Sequence, residues 1–262
     1  MPRPKKHLGQ NFLNSAPLAE RIVEWAQVGP KDVVIEIGGG EGILTEALSK
    51  KARRVVAIEV DPQLCQGLRK RFESRPQVDI YEADVLSLPF SELVQAGEIP
   101  YRVVANIPYS ITSPILFHLL RQWGEIRSAT LMVQKEVADR LRAKPKSKEY
   151  GILSVWTQLH ANIKLCARIG KWNFNPPPKV DSAILHLEPT QKYLSDEEWQ
   201  RWDRILRAAF GQRRKTLGNA LKGLGLAKSA LEALFKKTGI DPQRRAETLS
   251  LDDFSRIVQA LS

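Results

Sequence analysis

Four residues that can accept hydrogen bonds stand at or near the carboxyl ends of short apolar runs in this chain. Glu36 lies near the end of Val33-Val34-Ile35-Glu36-Ile37, Glu59 follows Arg54–Ile58, Asp84 follows Val78–Ala83, and Asn106 follows Arg102–Ala105. In open α/β sheets the carboxyl ends of the strands border the crevice that holds the ligand. A carboxylate there can accept from ribose hydroxyls, as expected of Glu59, or from an exocyclic adenine amine, as expected of Asp84. Glu36 is costly to bury unless a cation pairs with it, and a cationic ligand headgroup would serve. Singly, each acid is equally a cap or a solvated turn residue, and it is their common position that points to a site. The turn Gly38-Gly39-Gly40-Glu41-Gly42 suits a nucleotide-binding element. However, Ile43 stands at the third glycine of G-x-G-x-x-G, and no P-loop lysine–serine pair follows. This pattern favours a nucleoside without phosphate, and S-adenosylmethionine meets that description.

Asn106-Ile107-Pro108-Tyr109 offers a different set of groups. Pro108 lacks an amide hydrogen and keeps Ile107 out of the helical region, so the turn is extended and stiff. An amide side chain, carbonyls left free by the proline and an aromatic face can together grip a flat, amine-bearing ring. Adenine's exocyclic nitrogen is a poor nucleophile because its lone pair is delocalised. The Asn106 oxygen and a carbonyl of Ile107-Pro108 are expected to accept its two hydrogens and aim it, by positioning rather than by a general base. Tyr109 and Phe174 are the expected stacking walls for a base drawn out of its stack. An ordinary strand-to-helix turn with a buried tyrosine has the same local sequence.

The elements that must hold these groups follow from the hydrophobic pattern. Strands are predicted at 33–37, 54–60, 78–84, 102–106 and 128–134, alternating with helices, one of which opens at Ser15 with Pro17 behind it. Such alternation predicts a doubly wound, mostly parallel sheet of α/β class. Runs at 160–169 and 180–188, with no crossover helix between them, predict an antiparallel pair finishing that sheet. From about 191 only helices are predicted, the first opened by a capping box at Ser195 and Glu198. The expected division is therefore a ligand-binding domain at 1–190 and a small helical domain at 191–262.

The chain has 262 residues, a net charge of +11 and two cysteines, Cys65 and Cys166, without metal-ligand spacing. The four histidines are scattered, so neither a disulfide framework nor a metal site is expected. No apolar run reaches the roughly 20 residues of a membrane span, and the basic amino terminus has no apolar segment behind it. A cytoplasmic protein with a polyanionic partner is expected. Residues 191–262 carry 14 Lys/Arg against 9 Asp/Glu, so the basic excess is denser there than over the chain before it.

These motifs resemble the KsgA/RsmA family of 16S ribosomal RNA adenine dimethyltransferases, within the class I S-adenosylmethionine-dependent methyltransferases. The resemblance runs nearly end to end. It rests on Gly9–Leu13, Glu36–Gly40, Ile58–Asp61, Ala83-Asp84, Asn106–Tyr109, Gln134–Val137, Ser147–Gly151, Phe174 with Pro176–Ser182, Phe210–Thr216 and Arg245–Glu247. Gly39 stands where proline is common and Ile107 where leucine is common. The resemblance implies a Rossmann-like domain with a C-terminal helical domain, and methyl-donor contacts from Asn11, Leu13, Gly38, Glu59, Asp84 and Asn106. Gln10, Glu36, Gly40, Val60 and Val85 complete the expected set. It implies as substrate two adjacent adenosines of the terminal hairpin of 16S rRNA in the immature small subunit, each dimethylated at N6 by a monomeric enzyme. Lys5, Lys6, Arg213, Arg214 and Lys215 would then face RNA. The related 23S rRNA methyltransferases that confer macrolide resistance share the Asn-hydrophobic-Pro-Tyr loop. A ribosome-assembly factor or a general RNA binder would also suit the charge.

Overall fold

The computed structural model describes residues 10–95, 97–190 and 194–261. The chain opens with β1 (Phe12–Leu13) and α1 (Ala16–Trp25), whose first turn holds Pro17 and is capped by the Ser15 hydroxyl on the Leu18 amide. Strands and helices then alternate: β2 (Val33–Ile37), α2 (Ile43–Ser49), β3 (Arg54–Glu59), α3 (Pro62–Arg71), β4 (Val78–Glu82), β5 (Tyr101–Asn106), α4 (Thr112–Arg121), β6 (Ile126–Gln134) and α5 (Lys135–Leu141). There follow α6 (Ile152–His160), β7 (Ala161–Ile169), β8 (Phe174–Asn175) and β9 (Ser182–Pro189). The chain finishes with α7 (Asp196–Phe210), α8 (Leu217–Ala220), α9 (Lys228–Thr238) and α10 (Leu251–Ala260).

Seven strands form one sheet in the order β4-β3-β2-β5-β6-β9-β7. β4 through β6 are parallel, and β9 runs antiparallel to both β6 and β7. All five residues of β2 are buried, as expected of a central parallel strand covered on both faces. The strand order reverses between β2 and β5, which is where such sheets open a crevice. Gly38 and Asn106 leave these two strands side by side: a Cβ on Gly38 would lie 3.7 Å from the Asn106 carbonyl oxygen. Lower in β5, the buried Arg102 donates to Asp32 at 2.9 Å and to Ser128 at 2.8 Å.

A second, two-stranded sheet was not expected from the sequence. β1 pairs antiparallel with β8, Phe12 opposite Asn175 and Leu13 opposite Phe174. Two residues are too short a run to show any period.

The chain forms two compact units, Met1–Ala138 with Ala161–Thr190, and Asp139–His160 with Gln191–Ser262. This differs from a single cut at 190, because α6 and the loop before it belong with the C-terminal helices. Trp156 of α6 stacks on Trp199 of α7 with ring centroids 4.0 Å apart, and Trp202 lies 6.4 Å away. A helix buried along nearly its whole length needs such a partner. The Arg213 guanidinium donates to the carbonyls of Lys148 and Tyr150, tying the loop before α6 to the turn after α7. The predicted capping box is present, with Ser195 and Glu198 satisfying each other's backbone amides. No helix among the described residues is long and apolar enough to cross a membrane.

Candidate active site

A cavity of about 260 Å³ opens in the first unit at the carboxyl ends of β2 to β5. That is a little below the roughly 300–1,000 Å³ usual for small-molecule sites. Its wall includes Gln10, Asn11, Gly38, Glu59, Val60, Asp84, Val85 and Asn106, all expected there from the sequence, and Ile107, Pro108 and Tyr109. Phe12, Ile37, Ile58, Ala83, Leu86, Ile111 and Ile115 complete it. The sequence reading assigned none of these seven. Phe12, Ile37, Ile58, Ala83 and Leu86 adjoin assigned residues in the sequence, whereas Ile111 and Ile115 reach the cavity only through the fold.

Asn106 ends β5 with its side chain fixed. Its Nδ2 donates to the Asn11 carbonyl at 3.1 Å. A carbonyl partner requires the amide nitrogen on that side, so Oδ1 is presented as an acceptor on the other. The Ile107 amide continues the sheet by donating to Met132 O at 3.1 Å. The Pro108 carbonyl is already engaged, accepting from the Ile111 amide at 3.2 Å, and the Thr112 hydroxyl lies 3.2 Å from it and 3.3 Å from the Tyr109 carbonyl, with one hydrogen to share between them. The Ile107 carbonyl accepts nothing among the described residues, although Ile107 is only 1% exposed. A buried backbone acceptor left open is uncommon. The Tyr109 hydroxyl sits 2.6 Å from Ser182 Oγ, which anchors the ring, and burial raises its pKa so that it stays neutral.

The acids are held differently from one another. Glu59 Oε1 accepts the amides of Val60 at 2.9 Å and Asp61 at 3.0 Å, and Oε2 accepts the Gly40 amide at 3.0 Å. Each carboxylate oxygen has two lone pairs, so one acceptor direction remains, on Oε2. Asp84 caps the turn after it, Oδ1 accepting from the Leu86 amide at 3.0 Å. Asp61 caps α3 through Gln63 and is also reached by Gln10 Nε2 at 3.5 Å, which holds Gln10 at the cavity wall.

Four residues expected at the site do not line the cavity. Glu36 is completely buried, and neither carboxylate oxygen has a hydrogen-bond partner. Burial pushes its pKa up to about 8; the nearby Thr45 hydroxyl opposes this and the Glu59 charge adds to it. Side chains alternate along a strand, so as Ile37 turns to the cavity Glu36 turns away. Leu13 and Phe174 are 6% and 2% exposed and pack in the core cluster with Ile22, Val34 and Ile184, because the β1–β8 pairing turns both inward. Gly40 has φ +54°, and a Cβ there would come within 3.2 Å of the Phe12 ring, so it is needed for close packing beneath the wall. In the second unit Arg213 is occupied by the carbonyls named above, while Arg214 and Lys215 are exposed. Lys5 and Lys6 lie outside the described residues.

A family model described as ribosomal RNA adenine dimethylase matches residues 1–262. The chain belongs to that family. It is accordingly a methyltransferase acting on adenine in ribosomal RNA, with S-adenosylmethionine as methyl donor. Among relatives of this ribosomal RNA adenine dimethylase, the ribosomal RNA small subunit methyltransferase A of Geobacter metallireducens is 42% identical over 99% of this chain and 96% of its own. That of Moorella thermoacetica is 42% identical over 98% and 92%. A dimethyladenosine transferase from Plasmodium falciparum has a similar structure, with TM-score 0.77, 27% identity and coverage of 94% and 95%. The 23S rRNA methyltransferase ErmE is also similar, with TM-score 0.69, 28% identity and coverage of 96% and 99%. The cavity fits the donor on its own chemistry. Among the described residues no lysine or arginine lines it, as a phosphate ligand would require, while Glu59 and Asp84 offer acceptors between the apolar side chains of Ile37, Ile58 and Val85.

Proposed function

We propose that this enzyme dimethylates the N6 amines of two adjacent adenosines in the 3′-terminal hairpin of 16S rRNA, acting as a cytoplasmic monomer on the immature small subunit. Support for the substrate comes from the relatives named for the small subunit at 42% identity over nearly the whole chain. The observation that carries the chemistry is the pair of open acceptors at the cavity wall, Asn106 Oδ1 and the Ile107 carbonyl.

When bound, the donor supplies an electrophilic methyl group on a sulfonium. The protein's part is to hold the amine. Asn106 Oδ1 and Ile107 O accept the two N6 hydrogens, which localises the nitrogen lone pair and turns it toward the methyl group. Pro108 O already accepts the Ile111 amide, which leaves Ile107 O the freer of the two. The Asn11 carbonyl keeps Asn106 from flipping and presenting a donor instead. Tyr109, anchored on Ser182, supplies the stacking face for the extruded base, a contact of roughly 1–3 kcal/mol. Phe174 acts from the core, holding β1 and so Asn11 in place rather than stacking on the base. Glu59 takes one ribose hydroxyl of the donor and Asp84 its adenine amine, with Gln10, Gly38, Val60 and Val85 completing the donor site. For the second transfer the monomethylated amine has one hydrogen left, so one acceptor suffices. In the second unit Arg214 and Lys215 contact RNA phosphates, with Lys5 and Lys6 joining them from the amino terminus.

Small subunits lacking this modification, incubated with enzyme and labelled donor, test the reading. Primer extension is expected to stop at two adjacent adenosines in the terminal hairpin of 16S rRNA. Label confined to 23S rRNA would refute the small-subunit assignment.

A further inference from the structure

Trp172 is the most exposed large hydrophobic residue among those described, at 76%. The other tryptophans do not resemble it: Trp123, Trp156, Trp199 and Trp202 are buried, and Trp25 is half-buried. Lys171 Nζ sits 4.8 Å from the ring centroid as a cation–π contact. Its backbone is tied to the active site from two directions. On one side the Trp172 carbonyl accepts Asn14 Nδ2 at 3.3 Å, and the Asn173 carbonyl accepts the Asn14 amide at 3.0 Å. Three residues before Asn14, the Asn11 carbonyl fixes Asn106, a span of about 10 Å in extended chain. On the other side the Lys171 amide donates to Asp181, next to the Ser182 that anchors Tyr109. Arg168, Lys171 and Lys179 flank Trp172 in the sequence, with Asp181 the one acid between 168 and 182, and Val180 is 44% exposed.

We propose that Trp172 is a stacking platform for an unpaired RNA base flanking the adenine held at Asn106. An exposed aromatic among cations is the arrangement that binds single-stranded nucleic acid without reading its sequence. The lysine contact favours one orientation of the exposed ring. The inference rests on the proposed rRNA substrate, but the residue's role can be tested separately.

The first test is steady-state methylation of unmodified small subunits by wild type, Trp172→Ala and Trp172→Phe. Trp172→Ala is expected to raise KM for the particle about 5- to 150-fold with kcat and donor Kd unchanged, and Trp172→Phe to restore most of the loss. The second test is acrylamide quenching of tryptophan fluorescence with an oligoribonucleotide spanning the hairpin. RNA is expected to shield an indole in the wild type that is missing from Trp172→Phe. An unchanged KM in Trp172→Ala overturns the proposal. So does a raised KM with no shielding by saturating RNA, which assigns the contact to a ribosomal protein. Absence of methyl transfer by wild type would instead refute the substrate reading, while the quenching measurement still decides Trp172.

Discussion

Replacing Glu36 by glutamine should make the enzyme more stable, and increasingly so as the pH rises. The carboxyl group is fully buried without a hydrogen-bond partner, and its pKa is pushed up from 4.5 to about 8. Folding therefore keeps a proton that the unfolded chain has lost across that window. The native state binds more protons there, so stability falls as pH rises from about 4.5 to about 8. At about 1.4 kcal/mol per pKa unit the loss reaches about 5 kcal/mol in full, of which about 2 kcal/mol falls between pH 6 and pH 8. Glutamine keeps the shape of the protonated acid and does not titrate. Urea unfolding followed by circular dichroism at pH 6 and pH 8 should show wild type losing about 2 kcal/mol more than Glu36→Gln. Other titrating groups cancel in that difference. Because Glu36 does not line the cavity, donor affinity at pH 6 should be the same in both proteins. Parallel stability profiles would refute the buried, unpaired carboxylate, and a donor affinity lost at pH 6 would return Glu36 to the binding site.

Three further outcomes follow from the same contacts. Phe174→Ala should cost about 3–5 kcal/mol of stability, while Phe174→Leu should cost less and leave kcat within a few-fold; a 100-fold loss in a stable Phe174→Leu enzyme would make it a stacking wall after all. Asp32→Ala strands the buried Arg102 guanidinium and should cost about 3–5 kcal/mol in thermal or urea unfolding, with a loss under about 1 kcal/mol counting against the pair. Asp84→Ala removes the cap on the Leu86 amide, about 1 kcal/mol, and should weaken donor Kd roughly tenfold by calorimetry, whereas unchanged Kd would place the donor elsewhere.

Much of this was legible because it depends on local pattern. The apolar runs ending at Glu59 and Asn106 announced both the strands and the crevice, and the caps at Ser15, Asp61 and Ser195 sit where side chain and spacing required them. What stayed hidden depends on which way a side chain turns or on what packs from a distance. Glu36 was legible as a strand-end acid, but its inward orientation follows from the pleat between Ile35 and Ile37, which the sequence leaves open. Phe174 reads as an aromatic beside a proline run. Only its pairing opposite Leu13 puts it in the core. The membership of α6 in the second unit depends on Trp156 meeting Trp199, 43 residues further along the chain. The proposed preference for Ile107 O over Pro108 O needed the Ile111 amide, which the latter accepts.

The acceptor role of Asn106 is open to one decisive measurement, single-turnover methyl transfer by Asn106→Ala on unmodified small subunits at saturating donor. Losing Oδ1 should slow transfer on the order of 10²–10³-fold while donor and rRNA still bind. An Asn106→Ala enzyme that transfers methyl at the wild-type rate would contradict the mechanism.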